Sequence, residues 1–246
     1  MALIIFLAGY FGRRELAQVP SLRDFVIPGG AIFLLLVLLM AQPDMGTALV
    51  IVFTGIAMLW VAGLPSRLFA SLLAFGGLGI LGLAVAAPYR LRRLTAFINP
   101  WNDPQGSGFH IIQSLLAVGS GGFWGLGLGN SRQKFFYVPQ HVTDFIYAIL
   151  SEEMGFIGAA GVVVLFAILV GRGLRIARLA PTTYLRLLAT GLVVFMAVKA
   201  FINISVVVAL LPTTGIPLPF VSYGGSAMMI NLFVVGLLLN ISRRLA

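Results

Sequence analysis

The stretch LLATGLVVFMAVKAFINISVVVALL, residues 187 to 211, is apolar over almost its whole length and contains one charged residue, Lys199. About 17 to 25 apolar residues are needed to cross roughly 30 Å of hydrocarbon as an α-helix, so this stretch is long enough to span a membrane. A lysine at the centre of a span costs about 2.5 to 3.5 kcal/mol on insertion scales. We therefore expect Lys199 to face the protein interior, in a polar seam with Asn203 one turn later.

The whole chain has the same apolar character. Of its 246 residues, 60% are hydrophobic and 9% are charged, and the mean hydropathy is +1.05, whereas about a quarter of the residues in a soluble domain are charged. This composition predicts an all-α fold, a polytopic membrane helical bundle with one long extracytoplasmic loop. The apolar runs predict membrane segments near residues 1–11, 25–41, 47–63, 67–87, 155–171, 187–211 and 226–241.

The first apolar run is too short to cross a membrane and lacks the charged region of a signal peptide. It resembles the second half of a helix, so we expect an N-terminally truncated chain. The chain contains no cysteine, which excludes disulfides, thiol nucleophiles and cysteine metal sites. Its two histidines lie at unrelated positions and predict no metal site.

The basic residues are divided unequally between the two sides of the predicted bundle. Ten of the 16 Lys and Arg residues fall in four connections on one side, which the positive-inside rule assigns to the cytoplasm. The net charge of +9 is thus explained by membrane orientation, and no nucleic-acid partner is predicted. The cytoplasmic connections are residues 12–25, 64–67, 171–186 and 242–246.

Five further cations lie in the long loop that is predicted to be outside, between residues 88 and 143. Long loops are partly exempt from the positive-inside rule, which is one explanation for their presence. The other is that they attract an anionic group at the outer membrane surface, because Arg and Lys suit phosphate recognition. These residues are Arg90, Arg92, Arg93, Arg132 and Lys134.

Asp144 directly precedes the apolar stretch FIYAIL. It is a candidate helix N-cap, with Thr143 as a competing candidate. It is also a candidate carboxylate at the outer surface, able to accept a proton from a substrate hydroxyl. The two roles are compatible, and the sequence leaves both open.

Glu152 and Glu153 are two of only seven acidic residues, and both lie within an apolar run. A helix from Asp144 to Gly171 would be roughly 42 Å long, which exceeds the hydrocarbon core, so we predict a break at Gly155. The two glutamates would then lie near the outer boundary and face a protein-lined or wet cavity. Pairing with Lys199 or an arginine is the alternative role.

Two loops rich in glycine complete the predicted outer surface. GSGGFWGLGLGN, residues 119 to 130, matches neither glycine motif of the nucleotide-binding loops. LPTTGIPLPFVSYGGS, residues 211 to 226, carries three prolines and cannot continue a lipid-facing helix. We expect this second loop, with Ser222 and Tyr223, to close over the same cavity as the long loop. The residues expected to line this substrate-binding cavity are Glu152, Glu153, Lys199, Asn203, Ser222 and Tyr223.

Three separated motifs in this order resemble the SEDS family of membrane proteins. They are QPDMGTALV at 42–50, the stretch from PYRLRRLTAFINPW to EEMGFIGA at 88–159, and LPTTGIPLPFVSYGGS at 211–226. The sequence GLGLGNSRQKFFYVP at 125–139 resembles the FtsW and SpoVE branch more than RodA. The resemblance covers essentially the whole chain.

The resemblance implies a ten-helix protein, of which residues 1–246 would be the last seven helices in a single domain. It implies polymerisation of lipid II into β-1,4-linked glycan strands at the outer face of the bacterial cytoplasmic membrane, in division or sporulation. The products would be undecaprenyl-diphosphate-linked glycan and released undecaprenyl diphosphate. The implied partners are a class B penicillin-binding protein, the division machinery and membrane lipid.

The resemblance also implies roles for individual residues. Asp144 in PQHVTDF matches the family's catalytic acidic residue, whereas Gln140 replaces the usual Glu and His141 is displaced by one position. Asp144 would act as general base while the five outer cations hold the diphosphate. No cofactor is required, and a divalent cation could share the diphosphate's charge, although no ligand spacing identifies one.

Two other classes of function remain open from the residues. A transporter that flips lipid-linked precursors would use an intramembrane polar path such as Lys199, Asn203 and the break near Gly155. A non-catalytic scaffold for division proteins would not need Asp144.

Overall fold

The computed structural model describes residues 1–13, 22–72, 74, 88–131 and 144–245, with residues 88–92 described by their backbone alone. Within these ranges the chain is helical and no strand occurs. Residues 66–72 are also helical. The eight longer helices are α1 (Ala2–Gly12), α2 (Val26–Ala41), α3 (Met45–Val61), α4 (Pro88–Ile98), α5 (Phe109–Ser120), α6 (Ile146–Leu179), α7 (Thr183–Val207) and α8 (Gly225–Arg243).

Among the described residues, four helical segments are long and apolar enough to cross a membrane: Leu22–Ala41, Ile146–Leu179, Thr183–Val207 and Gly225–Arg243. They confirm a multi-pass helical membrane protein. The segments predicted at 1–11 and 47–63 are helices of 11 and 17 residues, shorter than those four. Most of the segment predicted at 67–87 lies outside the described residues.

The chain divides into two compact units, and α6, α7 and α8 contribute residues to both. The first unit contains residues 1–76, 168–198 and 229–246, and the second contains residues 77–167 and 199–228. The prediction of a single domain stays a prediction.

In the first unit, α1, α2 and α3 pack against one another. Leu7 of α1 and Met58 of α3 are completely buried. Gly191 of α7 lies against this core, and a Cβ atom there would lie 2.6 Å from both Ile4 Cγ2 and Met58 Sδ. The absence of a side chain at Gly191 leaves room for the side chains of Ile4 and Met58 against α7.

In the second unit, the 3-10 turn Pro100–Asn102 packs against α4 and α5. The buried hydroxyl of Ser114 on α5 donates a 2.7 Å hydrogen bond to the carbonyl of Val207, the last residue of α7. This bond satisfies a carbonyl that has no partner further along its own helix. It joins α5 to the end of α7 from which the loop at residues 208–222 departs.

The predicted break in the long helix is confirmed. α6 has 34 residues, and Gly155 has φ 64° and ψ −166°, which are not helical. At 1.5 Å per residue an unbroken helix of this length would measure about 51 Å, well beyond the roughly 30 Å of hydrocarbon. The break separates a short N-terminal piece of α6, which carries both glutamates, from the long apolar piece.

Candidate functional site

The glycine-rich loop between residues 121 and 129 is hydrogen-bonded to the break in α6. A break leaves backbone N–H and C=O groups without helical partners, and an unpaired group at membrane depth costs several kcal/mol. The loop supplies partners on both sides of Gly155. The bonds are Phe156 N to Gly122 O (2.9 Å), Ile157 N to Phe123 O (3.4 Å), Leu126 N to Glu152 O (3.0 Å) and Gly127 N to Glu153 O (3.0 Å).

Glycine is required where this loop meets α6. A Cβ atom at Gly125 would lie 2.2 Å from the carbonyl oxygen of Glu153, and one at Gly155 would lie 2.3 Å from the nitrogen of Gly125. Both glycines also have positive φ, 83° and 64°, which L side chains rarely adopt. The sequence motif excludes a nucleotide-binding loop here, but it does not reveal the close backbone contact between Gly125 and Gly155.

Glu152 is buried, with 1% of its surface exposed. Its carboxyl group accepts hydrogen bonds from the hydroxyls of Ser120, at 3.3 Å, and Ser131, at 2.5 Å. These serines lie on either side of the glycine-rich loop, so one side chain holds both ends of the loop. A protein-facing position for Glu152 was predicted, and pairing with Lys199 or an arginine stays a prediction.

Glu153 differs from its neighbour. It is partly buried, and its Oε1 atom is buried without a hydrogen-bond partner among the described residues. Its carbonyl, by contrast, accepts from the glycine-rich loop. The backbone of Glu153 therefore helps to close the break, and a role of its side chain in substrate binding stays a prediction.

Asp144 lies two residues before α6 and is tied to another loop through its backbone. The side-chain amide of Asn203 donates to the carbonyl of Asp144 at 2.8 Å and to the carbonyl of Ile216 at 2.7 Å. Asn203 is 2% exposed. Both hydrogen bonds are therefore shielded from water, and the low dielectric makes them electrostatically stronger. The amide thereby joins the start of α6 to the loop at residues 208–222.

This loop passes directly beside the Asp144 carboxyl group. A Cβ atom at Gly215, whose φ is +74°, would lie 3.5 Å from Asp144 Oδ2. The guanidinium of Arg93, on α4, donates a 3.2 Å hydrogen bond to the carbonyl of Thr213 two residues earlier. Asp144, Arg93 and the loop thus form one polar cluster within the second unit.

Ser222 and Tyr223 occupy the far end of the same loop. The hydroxyl of Ser222, which is 6% exposed, accepts a 2.7 Å hydrogen bond from the backbone N–H of Leu218. Tyr223 is 76% exposed. Ser222 therefore stabilises the turn of the loop itself, and substrate binding by either residue stays a prediction.

His110 belongs to this cluster and was missed by sequence analysis. Its ring stacks on Phe145 with ring centroids 5.7 Å apart and planes 13° apart, and Nδ1 is buried without a hydrogen-bond partner in the described part of the chain. Burial lowers the pKa of His110 below the ordinary value of 6.5, and the charge of Arg93 lowers this pKa further, whereas Asp144 raises it. The available signal was a histidine, one of only two, at the start of an apolar segment.

The other predicted site residues are placed less completely. Lys199 is partly buried on α7, one turn before Asn203, as predicted from the helical spacing. Arg90 and Arg92 lie on the described backbone of α4, but their side chains are outside the described set. Arg132, Lys134, Gln140 and His141 lie outside the described residues altogether. Among the residues that are described, no group of three or more His, Asp or Glu could hold a metal ion.

Comparison with known proteins extends over the whole chain. The family model of FtsW, RodA and SpoVE, described as "Cell cycle protein", matches residues 1–246. Stage V sporulation protein E of Bacillus subtilis (strain 168) is 50% identical over 243 residues, covering 99% of this chain and 66% of that protein. The probable peptidoglycan glycosyltransferase FtsW of Geobacter sp. (strain M18) is 43% identical over 249 residues, covering 100% of this chain and 67% of that protein.

A solved structure has the same fold. It was determined in work on the structural coordination of polymerization and crosslinking by a peptidoglycan synthase complex. It superposes with a TM-score of 0.78 at 29% identity and covers 99% of this chain and 68% of that chain. The chain spans about two thirds of the length of the curated relatives that it matches.

Proposed function

The chain belongs to the FtsW, RodA and SpoVE family of cell cycle proteins, and from this membership we propose that it is a peptidoglycan glycosyltransferase. The name of the Geobacter relative, a probable peptidoglycan glycosyltransferase, supports this activity. The proposed substrate is lipid II, and the product is a glycan strand linked to undecaprenyl diphosphate. The chain would serve cell division or sporulation.

The observation that carries the proposal is the position of the Asp144 carboxyl group. It lies beside Gly215, where a Cβ atom would be 3.5 Å from Asp144 Oδ2, and its backbone is held by the buried amide of Asn203. Arg93 is attached to the same loop two residues away from Gly215. A carboxylate and a cation held by one loop are the groups that a sugar diphosphate reaction needs.

In the proposed reaction, Asp144 is the general base. It takes the proton of the 4-hydroxyl of the acceptor sugar while that oxygen attacks the anomeric carbon of the growing chain. The new C–O bond forms as the bond between the anomeric carbon and the diphosphate oxygen breaks, so undecaprenyl diphosphate leaves with the electron pair. Because diphosphate is a good leaving group, a carboxylate of ordinary basicity suffices.

The cations are proposed to hold the diphosphate and to stabilise the charge that it gains as it leaves. Stabilisation of developing charge is often the largest contribution to catalysis. Arg93 is attached to the loop beside Asp144, which makes it the first candidate. The further candidates for this role are Arg90, Arg92, Arg132 and Lys134. A divalent cation could share the diphosphate's charge, and no other cofactor is proposed.

The proposed setting is the bacterial cytoplasmic membrane, with the site on its outer face. The side assignment is supported by the concentration of basic residues in the connections on the opposite side. The solved structure of similar fold comes from a complex that combines polymerization with crosslinking. We therefore propose a class B penicillin-binding protein as partner, within the division machinery.

The test of the general base is Asp144→Asn in the full-length, partner-bound enzyme, with purified lipid II as substrate and glycan strands separated by gel electrophoresis. We expect polymerisation to fall by about 10²- to 10⁴-fold, the usual contribution of general acid–base catalysis. Asp103→Asn is the matched control. Asp103 accepts a hydrogen bond from the backbone N–H of Ser107, which an asparagine oxygen preserves, so activity should stay near that of the wild type.

Near-normal polymerisation by Asp144→Asn, at unchanged thermal stability, would eliminate Asp144 as the base. The same assay separates polymerase from transporter, because lipid II supplied to purified enzyme in detergent requires no flipping. Absence of any glycan product from an intact enzyme complex would favour the transporter or the scaffold.

A further inference from the structure

A groove with two arginines lies in the first unit. Its volume is about 330 Å³. The arginines come from the last two turns of α6, and the apolar residues include one from the chain's C-terminal end. We call it the arginine groove; it is lined by Arg172, Arg175, Ile176, Leu179 and Leu245.

The two arginines point their charges into the same region. Arg172 and Arg175 are three residues apart on a helix, which places them on one face, and both are exposed. In the described part of the chain, neither guanidinium has a hydrogen-bond or ion-pair partner. Among the described residues that line the groove none carries a carboxyl side chain, so the two positive charges lie side by side there.

The apolar run of α6 predicts that the groove lies at the depth of the lipid phosphates. Residues 156–170 of α6 are apolar throughout and cover about 22 Å at 1.5 Å per residue. Several of them are exposed, among them Phe156, Leu165 and Ile168 at 62%, 67% and 55%, as expected for side chains that face lipid. Arg172 is the first charged residue after this run, so it reaches the boundary between hydrocarbon and headgroups.

The groove combines two cations with an apolar wall, so it suits a ligand that has both an anionic group and an apolar chain. Guanidinium groups bind phosphate oxygens in pairs with good geometry. A free phosphate ion would use the arginines but not the apolar wall of Ile176, Leu179 and Leu245, whereas the acyl chains of a lipid would lie against it. Basic pockets beside membrane helices are known to take anionic headgroups.

We propose that the arginine groove binds an anionic phospholipid through its headgroup phosphate. Arg172 and Arg175 hold the phosphate oxygens, and Leu179 contacts the upper part of an acyl chain. The charge pattern predicts that this end of α6 is cytoplasmic, so the lipid belongs to the inner leaflet. The site is independent of the reaction proposed above.

The test compares lipid binding by full-length wild type and two variants. Protein in mild detergent is titrated with short-chain phosphatidylglycerol or phosphatidylcholine, and bound lipid is counted by native mass spectrometry. In Arg172→Gln/Arg175→Gln, we expect phosphatidylglycerol to bind about thirtyfold more weakly, because each cation near anionic lipid contributes about a fivefold factor. Arg178→Gln is the matched control: Arg178 lies on the same helix and is exposed, but it does not line the groove.

Each outcome decides the proposal. Preference for phosphatidylglycerol over phosphatidylcholine, lost in the double variant and kept in Arg178→Gln, supports the site. Equal affinity of wild type and double variant for phosphatidylglycerol would overturn it. Inorganic phosphate that displaces the lipid at millimolar concentration, with no preference for lipid, would show a site for the free anion and also overturn it.

Discussion

The hydroxyl of Ser131 donates a 2.5 Å hydrogen bond to Oε2 of the buried Glu152. Ser131 and Asp144 enclose the segment of sequence that carries Arg132 and Lys134. Glu152 therefore holds one end of this segment, and Asn203 holds the other end through the Asp144 carbonyl. The buried side chains of Glu152 and Asn203 thus fix the two residues, Ser131 and Asp144, that enclose the segment with these cations.

Loss of the Ser131 hydroxyl should destabilise the protein. We expect Ser131→Ala to lower the free energy of unfolding by about 1 to 3 kcal/mol, because a buried carboxyl group loses a hydrogen bond. In Ser131→Ala/Glu152→Ala the two losses should be less than additive, with a coupling of about 0.5 to 3 kcal/mol. Unfolding in detergent provides the measurement. The control is Ser107→Ala, which loses an exposed 3.1 Å hydrogen bond to Asp103 and should change the free energy of unfolding by no more than about 0.5 kcal/mol. Additive losses in the Ser131→Ala/Glu152→Ala variant would contradict the coupling.

Substitution of the glycine that meets the helix break should be much more costly than substitution of a similar glycine elsewhere in the loop. Gly125 and Gly129 share a φ of 83°, but a Cβ at Gly129 would contact nothing within 4 Å. Gly129→Ala should cost about 1 to 2 kcal/mol, the cost of the left-handed conformation. Gly125→Ala adds overlap with backbone of α6 and should unfold at a clearly lower temperature. Equal unfolding temperatures of the two variants would show that the close approach contributes nothing.

The stability of the protein should fall in mild acid because of His110. Burial, reinforced by Arg93, depresses the pKa of His110, so the folded state favours the neutral ring. The corresponding stability is complete above about pH 6.5, where the unfolded ring is also neutral, and is lost as the pH falls towards the folded pKa. We expect His110→Gln to show a smaller loss of thermal stability than wild type between pH 7.5 and pH 5. Parallel losses would exclude His110 as the source.

Much of the site could be predicted where a residue's own segment reveals its surroundings. The break at Gly155 followed from the length of the apolar run, since a helix of that length cannot fit the membrane. The polar seam of Lys199 and Asn203, expected because residues four apart share a helix face, stays a prediction. Both predictions use rules that operate within one helix.

Contacts between distant segments could not be predicted in this way. The glycine-rich loop was recognised as glycine-rich, yet its pairing with the break depends on contacts across about 30 residues that leave no periodic pattern in the sequence. His110 was missed for the same reason: its proximity to Phe145 and Asp144 arises from the packing of α5 against the start of α6. Family resemblance identified Asp144 but not the groups that hold it.

The sequence by itself determined that this protein crosses the membrane as several helices, because hydrophobic length is a property of local composition. The orientation inferred from its basic residues stays a prediction. The tertiary structure alone decided that Glu152 accepts hydrogen bonds from both ends of the glycine-rich loop, that Asn203 joins Asp144 to Ile216, and that Gly215 lies beside the Asp144 carboxyl group. Those relationships depend on which backbone carbonyls and side chains meet after folding, and in a buried polar cluster each donor must find its acceptor in three dimensions.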